Sequence, residues 1–561
     1  MDHAAGKGPG EPPHRILSRF ARTVYRTGLL DGVMEGDLFE AIRTIFRYSL
    51  DARSIHRLYA ATHPDRVALV DDDRTLTYEE ANEEIDRLVG ALKQRFGATS
   101  GTPIAMMMEN RVEYVAAWFG TFRIGASGVH VSYRSTADEL EYQLEHSGAR
   151  IVLCSETTRE VALAVAGRHP DWNLKLVDVD AVEHHSDFYS YATLLQTARR
   201  KENGTRWSES AEGGSENIVY TSGTTGRPKG TVRDFTDLGL NDLFCIVERM
   251  PVEAGDRHLV VAPIYHSGGQ VFTLLNASLG ATIYLRPHFE PEDALRALSR
   301  EKINSVFMVP TMIRRILELP TEVHDRYPTP ELRVLVSGAA PFPEALRRAA
   351  MRRFGAKTVH DFYGATELGW VTLINGREMR EKPGSVGRPI AGQEVRIVDD
   401  DGRECEPGQV GTIYVRSHHT MKGYLRDEEA NREFRRDDWM TVEDLGFVDE
   451  DGYLYLAGRS RDMVITGGVN VYPVEIEDVL VDHPAVEDAG VVGVADEEWG
   501  EKLVAFVVRR NAEVDEDTLE EWAREHLAGY KIPRDWCFID ELPRNPTGKI
   551  LKTELERRYS E

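Results

Sequence analysis

Short apolar runs alternate with longer amphipathic segments through the first third of the chain. A strand is predicted over 104–108, whereas 79–93 carries apolar residues at helical spacing. The alternation continues with helices predicted over 111–124 and 137–146 and a strand over 150–154. Strands joined by helices of this length predict a largely parallel sheet that is covered on both faces, which is an α/β fold.

The length of the chain indicates more than one domain. At 561 residues it is too long for a single hydrophobic core, and we expect about three or four folding units. Strands predicted over 489–494 and 503–508 and a helix over 515–527 indicate a smaller α+β domain near the end.

A loop of small and hydroxylated residues carries the first chemical signal. Residues 220–230 read Tyr-Thr-Ser-Gly-Thr-Thr-Gly-Arg-Pro-Lys-Gly, and the apolar run 218–220 predicts a strand that leads into them. Glycines let the backbone approach a phosphate, hydroxyl and amide groups donate hydrogen bonds, and Lys229 adds positive charge. A Walker A loop is excluded, because no Gly-Lys-Ser/Thr ends the run and Pro228 stands where its helix would start. By composition alone, the run is also typical of a mobile linker.

The order of residues in this loop resembles the phosphate loop of the adenylate-forming superfamily, which comprises acyl-CoA synthetases, peptide-synthetase adenylation domains and beetle luciferases. Further motifs that resemble the family follow in its order, at 263–269, 337–341, 360–367, 438–446, 458–462 and 543–549. The resemblance covers roughly residues 50–555. It implies an α/β fold with a large N-terminal domain of several layered subdomains and a small mobile α+β C-terminal domain. The implied parts are an N-terminal extension 1–50, an AMP-binding domain 51–458, a hinge 459–462 and a C-terminal cap domain 463–561.

The resemblance also implies which residues bind the nucleotide. The phosphate-loop residues are Thr221, Ser222, Gly223, Thr224, Thr225, Gly226 and Lys229. The adenine would be bordered by Ser337, Gly338, Ala339 and Gly364, with Tyr363 stacked on it. Asp444 and Arg459 would hold the ribose. Glu367, with Thr221, would hold Mg²⁺, which prefers carboxylate and phosphate oxygens.

Three residues would take part in the chemistry, and two would meet the second substrate. By resemblance, His266 borders the carboxylate site, Thr366 contacts the α-phosphate, and Lys549 bridges the carboxylate and α-phosphate oxygens. Gly467 and Gly468 resemble the loop that meets the pantetheine arm of coenzyme A. A structural histidine and solvated Glu367 and Lys549 are the alternatives that residue type alone leaves open.

The sequence departs from the family pattern in two places. Glu443 stands before Asp444 where the family has glycine, and Arg461 stands at the hinge where aspartate or lysine is usual. A glutamate that pointed inward would weaken nucleotide binding by like-charge repulsion, whereas one that pointed to solvent would change nothing.

Composition limits the partners. A net charge of −25 argues against a nucleic-acid partner, which requires a basic face. The four cysteines, Cys154, Cys245, Cys405 and Cys537, fit no metal or disulfide spacing, which indicates reduced thiols. Because no apolar run reaches the roughly 20 residues needed to span a bilayer, we expect a cytoplasmic protein.

Residues 15–26 predict a helix with arginines on one face and apolar residues on the other. Such a helix either lies on an anionic membrane surface, as a peripheral contact through 14–27, or packs on the main domain with its arginines in water. A homodimer is also compatible with the sequence.

The resemblance implies an ATP-dependent acyl-CoA synthetase that activates a carboxylic acid as acyl-AMP and transfers it to coenzyme A. Gly268 and Gly269, the apolar Val271 and Phe272, and the basic helix favour a medium- or long-chain fatty acid. Alternatives are an aryl acid–CoA ligase, an acyl-AMP ligase that loads a carrier protein, a nucleotide-binding protein disabled by Glu443, and a luciferase-like oxygenase.

Overall fold

The computed structural model describes residues 22, 25–27, 51–198, 215–221, 228–235, 245–417, 419–459, 462–466, 469–496, 499–510, 514–545 and 548–560. The chain divides into two compact units. The first unit comprises 1–307, 319–335 and 419–433, and the second comprises 308–318, 336–418 and 434–561.

Several of the helices begin at a side-chain cap that the sequence supplies. In chain order they are α1 (Ile55–Thr62), α2 (Tyr78–Phe96), α3 (Val112–Ile124), α4 (Ala137–Ser147), α5 (Glu156–Arg168), α6 (Tyr191–Thr197), α7 (Ser267–Ser278), α8 (Pro291–Arg300), α9 (Pro310–Leu317), α10 (Thr321–Arg326), α11 (Glu344–Phe354), α12 (Gly376–Glu381), α13 (Glu428–Phe434), α14 (Pro473–Val481), α15 (Glu516–His526) and α16 (Lys552–Ser560). In α2, for example, Thr77 and Glu80 form a capping box at the start, and Gly97 ends the helix at φ +68°.

The strands, again in chain order, are β1 (Val67–Val70), β2 (Thr75–Thr77), β3 (Pro103–Met107), β4 (Ser127–His130), β5 (Ile151–Cys154), β6 (Lys175–Asp178), β7 (Tyr189–Ser190), β8 (Glu216–Thr221), β9 (Lys229–Asp234), β10 (Arg257–Val260), β11 (Thr282–Leu285), β12 (Ser305–Met308), β13 (Val334–Ser337), β14 (Val359–Ala365), β15 (Gly369–Asn375), β16 (Ser385–Pro389), β17 (Glu394–Val398), β18 (Gly411–Arg416), β19 (Gly423–Tyr424), β20 (Arg435–Arg436), β21 (Trp439–Met440), β22 (Asp444–Val448), β23 (Leu454–Arg459), β24 (Val464–Thr466), β25 (Val469–Val471), β26 (Val486–Asp496), β27 (Gly500–Arg509) and β28 (Asp535–Phe538).

The first unit contains the predicted parallel sheet. Its strand order is β19-β9-β8-β4-β3-β5-β6-β7, and every pair from β8 to β7 is parallel. Alternate residues of β3 enter two different cores: Ile104 and Met106 pack with α2 and α3, whereas Ala105 and Met107 pack with α4 and α5. The expectation of a sheet covered on both faces is therefore confirmed.

A second set of strands in the first unit runs in the order β2-β1-β11-β10-β12, and it is parallel except for the β1–β2 pair. In the second unit, β14, β15, β16, β23, β22 and β18 follow one another in antiparallel pairs. A further sheet of the second unit, β25-β24-β27-β26 with β28 beside β27, forms the predicted α+β region with α14 and α15.

Only the end of the predicted N-terminal helix lies within the described residues. Arg26 donates hydrogen bonds to the carbonyls of Val247 and Met250, the latter at 2.9 Å, and Thr27 is buried. This end therefore packs on the first unit, and the predicted membrane contact of 14–27 stays a prediction. In the part of the chain that the structure describes, no helix is both long and apolar enough to cross a bilayer.

Candidate functional site

The predicted phosphate loop connects the two strands of a hairpin in the first unit. β8 pairs with β9 antiparallel, and Thr221 lies opposite Lys229 where the connection opens. The Thr221 hydroxyl donates to the Lys229 carbonyl at 3.5 Å. A strand rather than a helix follows Pro228, which agrees with the exclusion of a Walker A loop. Five predicted phosphate contacts lie outside the described residues: Ser222, Gly223, Thr224, Thr225 and Gly226.

Lys229 is held at the open end of this hairpin. Its ammonium lies 5.2 Å from the ring centroid of Tyr424 and 3.9 Å from the Asp427 carboxylate. β19, which carries Tyr424, pairs with β9 and so fixes the ring beside the lysine. A cation over an aromatic face is restrained in position, as a phosphate ligand requires.

The turn that carries His266 is fixed by a buried side chain that the sequence did not single out. The Asn110 amide nitrogen donates to the carbonyls of Ala262 and Arg286 at 3.1 and 3.2 Å, and its oxygen accepts from Ile264 N–H at 2.8 Å. One amide therefore satisfies three backbone groups around the end of β10. His266 follows at the N-terminus of α7 and is half-buried.

The two glycines after His266 are required for packing. A Cβ on Gly268 would lie 2.8 Å from the Phe307 ring, and one on Gly269 would lie 2.3 Å from the Pro263 carbonyl oxygen. The Phe307 ring in turn stacks on Phe272, with centroids 4.7 Å apart and planes 6° from parallel. The space beside Gly268 and Gly269 is therefore occupied by the aromatic pair and by backbone. This weakens the argument that the two glycines make room for an alkyl chain.

Gln270 lies on α7 four residues after His266 and is fully buried. Its backbone N–H donates to the His266 carbonyl at 3.1 Å, but neither side-chain amide atom has a hydrogen-bond partner among the described residues. A buried amide group left unsatisfied costs about 1–3 kcal/mol. Gln270 was not predicted as a site residue, although a glutamine directly before the apolar Val271 and Phe272 was the available signal.

In the second unit, the segment predicted to border the adenine begins at Ser337, the last residue of β13. Ser337 is fully buried, and its hydroxyl has no hydrogen-bond partner in the described ranges. Gly338 faces the Phe362 ring, which a Cβ would approach to 2.2 Å. Ala339 adopts φ +67°, a left-handed conformation that is uncommon for alanine and that recurs at functional turns.

Thr366 and Glu367 form the turn that joins β14 to β15. Tyr363 and Gly364 precede the turn on β14, where the register shifts between them. A Cβ on Gly364 would lie 2.2 Å from the Gly369 carbonyl oxygen, so only glycine permits this closely paired hairpin. The motif at 360–367 therefore lies at the end of a strand, with Glu367 half-buried.

Tyr363, Asp444 and Arg459 form one hydrogen-bonded cluster. The Tyr363 hydroxyl donates to one Asp444 oxygen at 2.7 Å, and Arg459 Nε lies 3.2 Å from the other. Burial and the Asp444 charge raise the pKa of Tyr363 well above its ordinary value, so it stays a neutral donor. Burial opposes the charge of Arg459, but Asp444 and other nearby acids outweigh it and raise its pKa. A carboxylate accepts about four hydrogen bonds, so Asp444 keeps capacity for ribose hydroxyls.

Glu443 is exposed and adopts φ +62°. Its backbone N–H donates to the Thr441 hydroxyl at 3.0 Å, which supports the turn before β22. The family glycine thus stands at a left-handed position, where it carries no Cβ penalty. The side chain is exposed, as the alternative that points to solvent requires.

Lys549 is exposed on a turn near the C-terminus, within the second unit. A Cβ on the preceding Gly548, whose φ is +81°, would lie 3.1 Å from the Thr311 hydroxyl at the start of α9. The turn is therefore packed beside α9. Gly467 and Gly468, which were predicted to meet coenzyme A, stand between β24 and β25 and lie outside the described residues. Arg461, at the predicted hinge before β24, also lies outside the described residues.

The structure thus brings Tyr363, Asp444 and Arg459 together in one cluster of the second unit. Thr366 and Glu367 lie in the turn that follows β14 in the same unit. Lys229 and His266 belong to the first unit. Among the described residues, no three or more His, Cys, Asp or Glu side chains are grouped so that they could hold a metal ion. All four cysteines are free thiols, in agreement with the sequence.

Comparison with known proteins identifies the family. The model of the AMP-binding enzyme family matches residues 57–425, and that of the AMP-binding enzyme C-terminal domain matches 475–549. The 2-succinylbenzoate–CoA ligase of Bacillus licheniformis is 34% identical over 496 residues, which cover 88% of this chain and 97% of that protein. A long-chain-fatty-acid–CoA ligase of Mycobacterium tuberculosis is 32% identical over 499 residues, which cover 87% and 94%.

A solved structure agrees with these relatives. The o-succinylbenzoate CoA synthetase of Bacillus subtilis, in complex with its acyl-adenylate intermediate, aligns with a TM-score of 0.76 at 28% identity. The alignment covers 90% of this chain and 98% of that one. The chain therefore belongs to the AMP-binding enzyme family and is an adenylate-forming enzyme of the acid–CoA ligase kind.

Proposed function

We propose that this enzyme activates an aromatic or polar-substituted carboxylic acid with ATP and transfers it to coenzyme A. The observation that carries the choice of acid is the buried amide of Gln270, on the helix that follows His266. A keto, hydroxyl or carboxyl group on the acid would satisfy this amide, whereas an alkyl chain would leave it unsatisfied.

In the first half-reaction, an oxygen of the acid carboxylate attacks the α-phosphorus of ATP, and the bond from that phosphorus to the pyrophosphate oxygen breaks. The products are acyl-AMP and pyrophosphate. Asp444 and Arg459 hold the ribose, Tyr363 stacks on the adenine, and Thr366 donates to the α-phosphate. The Lys549 ammonium stabilises the negative charge that develops on the oxygens of the transferring group.

In the second half-reaction, the thiol of coenzyme A attacks the acyl carbon of the anhydride. The bond between that carbon and the AMP oxygen breaks, the thiol proton passes to solvent, and acyl-CoA and AMP leave. The Gly467-Gly468 turn would meet the pantetheine arm, since glycines let a backbone approach a ligand closely. A swivel at Arg461 would remove Lys549 and bring this turn to the adenylate.

Mg²⁺ would be held by the Glu367 carboxylate together with phosphate oxygens. The half-burial of Glu367 in the turn after β14 fits such a role, because Mg²⁺ commonly uses one or two carboxylates, waters and substrate phosphates. When bound, Mg²⁺ would neutralise part of the negative charge of the phosphates.

A medium- or long-chain fatty acid is the second candidate substrate. The relative named as a long-chain-fatty-acid–CoA ligase favours it, at an identity close to that of the relative named for 2-succinylbenzoate. The stacked pair Phe272 and Phe307 is compatible with either a ring or a chain.

Pyrophosphate release measured over a panel of acids tests the proposal. The panel contains benzoates and cinnamates with and without hydroxyl, keto or second carboxyl groups, and fatty acids of increasing length. We expect the highest kcat/KM with a polar-substituted aryl acid. A preference for unsubstituted fatty acids by tenfold or more would refute the choice of acid but not the reaction.

The acceptor is tested separately. Acyl-CoA should form with coenzyme A as the only thiol present. Acyl-AMP that accumulates with coenzyme A, but is consumed when a carrier protein with a phosphopantetheine arm is added, would replace the proposed ligase by a carrier-loading enzyme.

A further inference from the structure

The turn that carries Lys549 is closed by its own backbone and by one side chain. Asn545 N–H donates to the Lys549 carbonyl at 2.9 Å, and Lys549 N–H donates to the Asn545 side-chain oxygen at 2.9 Å. Gly548 N–H also donates to the Asn545 carbonyl at 2.9 Å. The two ends of this turn are therefore tied to each other, and a group that holds one end positions the lysine.

Arg544 holds the turn at its base. One guanidinium nitrogen donates to the Gly548 carbonyl, next to Lys549, and the other lies 2.6 Å from an Asp488 carboxylate oxygen. Arg544 also pairs with Ile550 in an isolated β-bridge, so its backbone is fixed on the far side of the turn. Arg544 thus links the lysine turn to Asp488 near the start of β26.

Arg314 connects the same carboxylate to α9. Its guanidinium donates to the Glu487 carbonyl at 2.6 Å and lies 3.5 Å from the Asp488 oxygen that Arg544 also contacts. The other Asp488 oxygen accepts from Ala489 N–H at 3.1 Å. Asp488 therefore lies between two arginines, one on α9 and one at the base of the lysine turn.

The burial of this group separates it from ordinary surface ion pairs. The side chains of Arg314, Asp488 and Arg544 are exposed by 15%, 16% and 23%, respectively. Exposed pairs contribute little because water and salt screen them, whereas hydrogen-bonded pairs shielded from water restrain geometry strongly. Arg348 and Asp482, at 3.2 Å but 49% and 40% exposed, form a pair of the weaker kind in the same unit.

We propose that Arg314 is a positioning residue for Lys549: by holding Asp488, and through it Arg544 and the Gly548 carbonyl, it keeps the lysine turn against α9 in the state that forms acyl-AMP. The inference rests on the role proposed for Lys549. Because the second half-reaction requires Lys549 to leave, this clamp of Arg314, Asp488 and Arg544 acts on the first half-reaction alone.

Arg314→Met tests the proposal, since it keeps the aliphatic stem and removes the charge and donors. We expect kcat for pyrophosphate release to fall tenfold to a hundredfold, with the KM values for ATP and acid changed less than threefold. Thioester formation from pre-made acyl-AMP should stay within twofold of the parent rate. Arg314→Lys, which keeps the charge, should recover part of kcat. Arg315→Met is the matched control, because Arg315 is exposed on the same helix, and it should leave both half-reactions unchanged.

Two further variants separate the inference from the proposed function. Lys549→Ala should abolish most adenylation and spare the thioester step, and Arg314→Met in that background should reduce adenylation no further. If Lys549→Ala leaves adenylation intact, the role of the lysine is refuted and the clamp with it. If Lys549→Ala behaves as expected but Arg314→Met slows both half-reactions equally, slows neither, or still lowers the rate without Lys549, the clamp alone is refuted.

Discussion

The backbone dihedral angle φ of Glu443 allows the effect of a substitution on the free energy of unfolding to be predicted. At φ +62°, a residue with a Cβ costs about 1–2 kcal/mol relative to a right-handed conformation. Glycine removes that strain but loses about 0.5–1 kcal/mol in conformational entropy on folding. Glu443→Gly should therefore raise the free energy of unfolding by about 0.5–1 kcal/mol, the difference between the two terms.

A series of substitutions at this position isolates the backbone term. Glu443→Ala removes the charge but keeps the strain, and its stability should equal the parent's within about 0.5 kcal/mol. Glu443→Asn should fall between the parent and Glu443→Gly, because asparagine tolerates the left-handed region. Thermal unfolding monitored by calorimetry is the assay, and for a chain of 561 residues, whose unfolding entropy is about 1.2 kcal/mol/K, the glycine variant should unfold about 0.4–0.9 °C higher.

The same variants test whether the glutamate opposes the nucleotide. Because the side chain is exposed, Glu443→Ala should leave the KM for ATP within twofold of the parent value in pyrophosphate exchange. Equal stabilisation by alanine and glycine would refute the strain argument. A fall in KM for ATP of tenfold or more with alanine would mean that the charge faces the phosphates.

Three further predictions concern the first unit. Gln270→Met should lower kcat/KM for a polar-substituted acid at least tenfold and leave an unsubstituted acid of the same size unchanged or improved, in the pyrophosphate assay; an equal effect on both acids would assign the amide a structural role. Asn110→Ala leaves three backbone groups unsatisfied and should cost about 3 kcal/mol in unfolding free energy, with a fall in kcat/KM for the acid but little change in KM for ATP. Asn110→Asp keeps the acceptor for Ile264 N–H but turns a buried carboxylate oxygen toward the Ala262 and Arg286 carbonyls, so it should be at least as destabilising in denaturant titration. Burial lowers the pKa of His56 to about 3, of His130 to about 4 and of His258 to about 3. The unfolded chain therefore binds more protons below pH about 6.5, so stability present above that pH is lost on acidification, by about 1.4 kcal/mol per pH unit for each histidine down to its folded pKa. His56→Leu should flatten this dependence by one proton in calorimetric scans from pH 7 to 5, and an unchanged slope would contradict the assignment.

Much of the candidate site could be predicted from local sequence patterns. Strand 218–220 followed by glycines and threonines predicted a loop at a strand end, and the hairpin of β8 and β9 has it there. The contiguous motif at 360–367 likewise supplied Thr366 and Glu367 as candidate site residues, and both occupy the turn after β14. Such signals are readable because neighbouring residues in the chain make the turn themselves, so the sequence contains the whole interaction.

Contacts between distant segments were not readable in this way. Asn110 lies 152 residues from the carbonyl it supports at Ala262, and Arg314 lies 173 residues from Glu487. Neither side chain belongs to a motif, and each has a common residue type whose partner is chosen by packing. Gln270 was visible as a residue, but its burial and its unsatisfied amide are properties of the packed helix.

The sequence by itself determined the order of the elements, the family of adenylate-forming enzymes, and the residue types offered to nucleotide, acid and metal, because these depend on periodicity and on motifs that are contiguous in the chain. Only the tertiary structure decided that Glu443 turns to solvent at a strained angle, that Gly268 and Gly269 admit Phe307 and a carbonyl, and that Asp488 lies between two arginines. Those outcomes depend on which surfaces meet when the chain is packed, and a meeting of segments more than 100 residues apart leaves no local pattern.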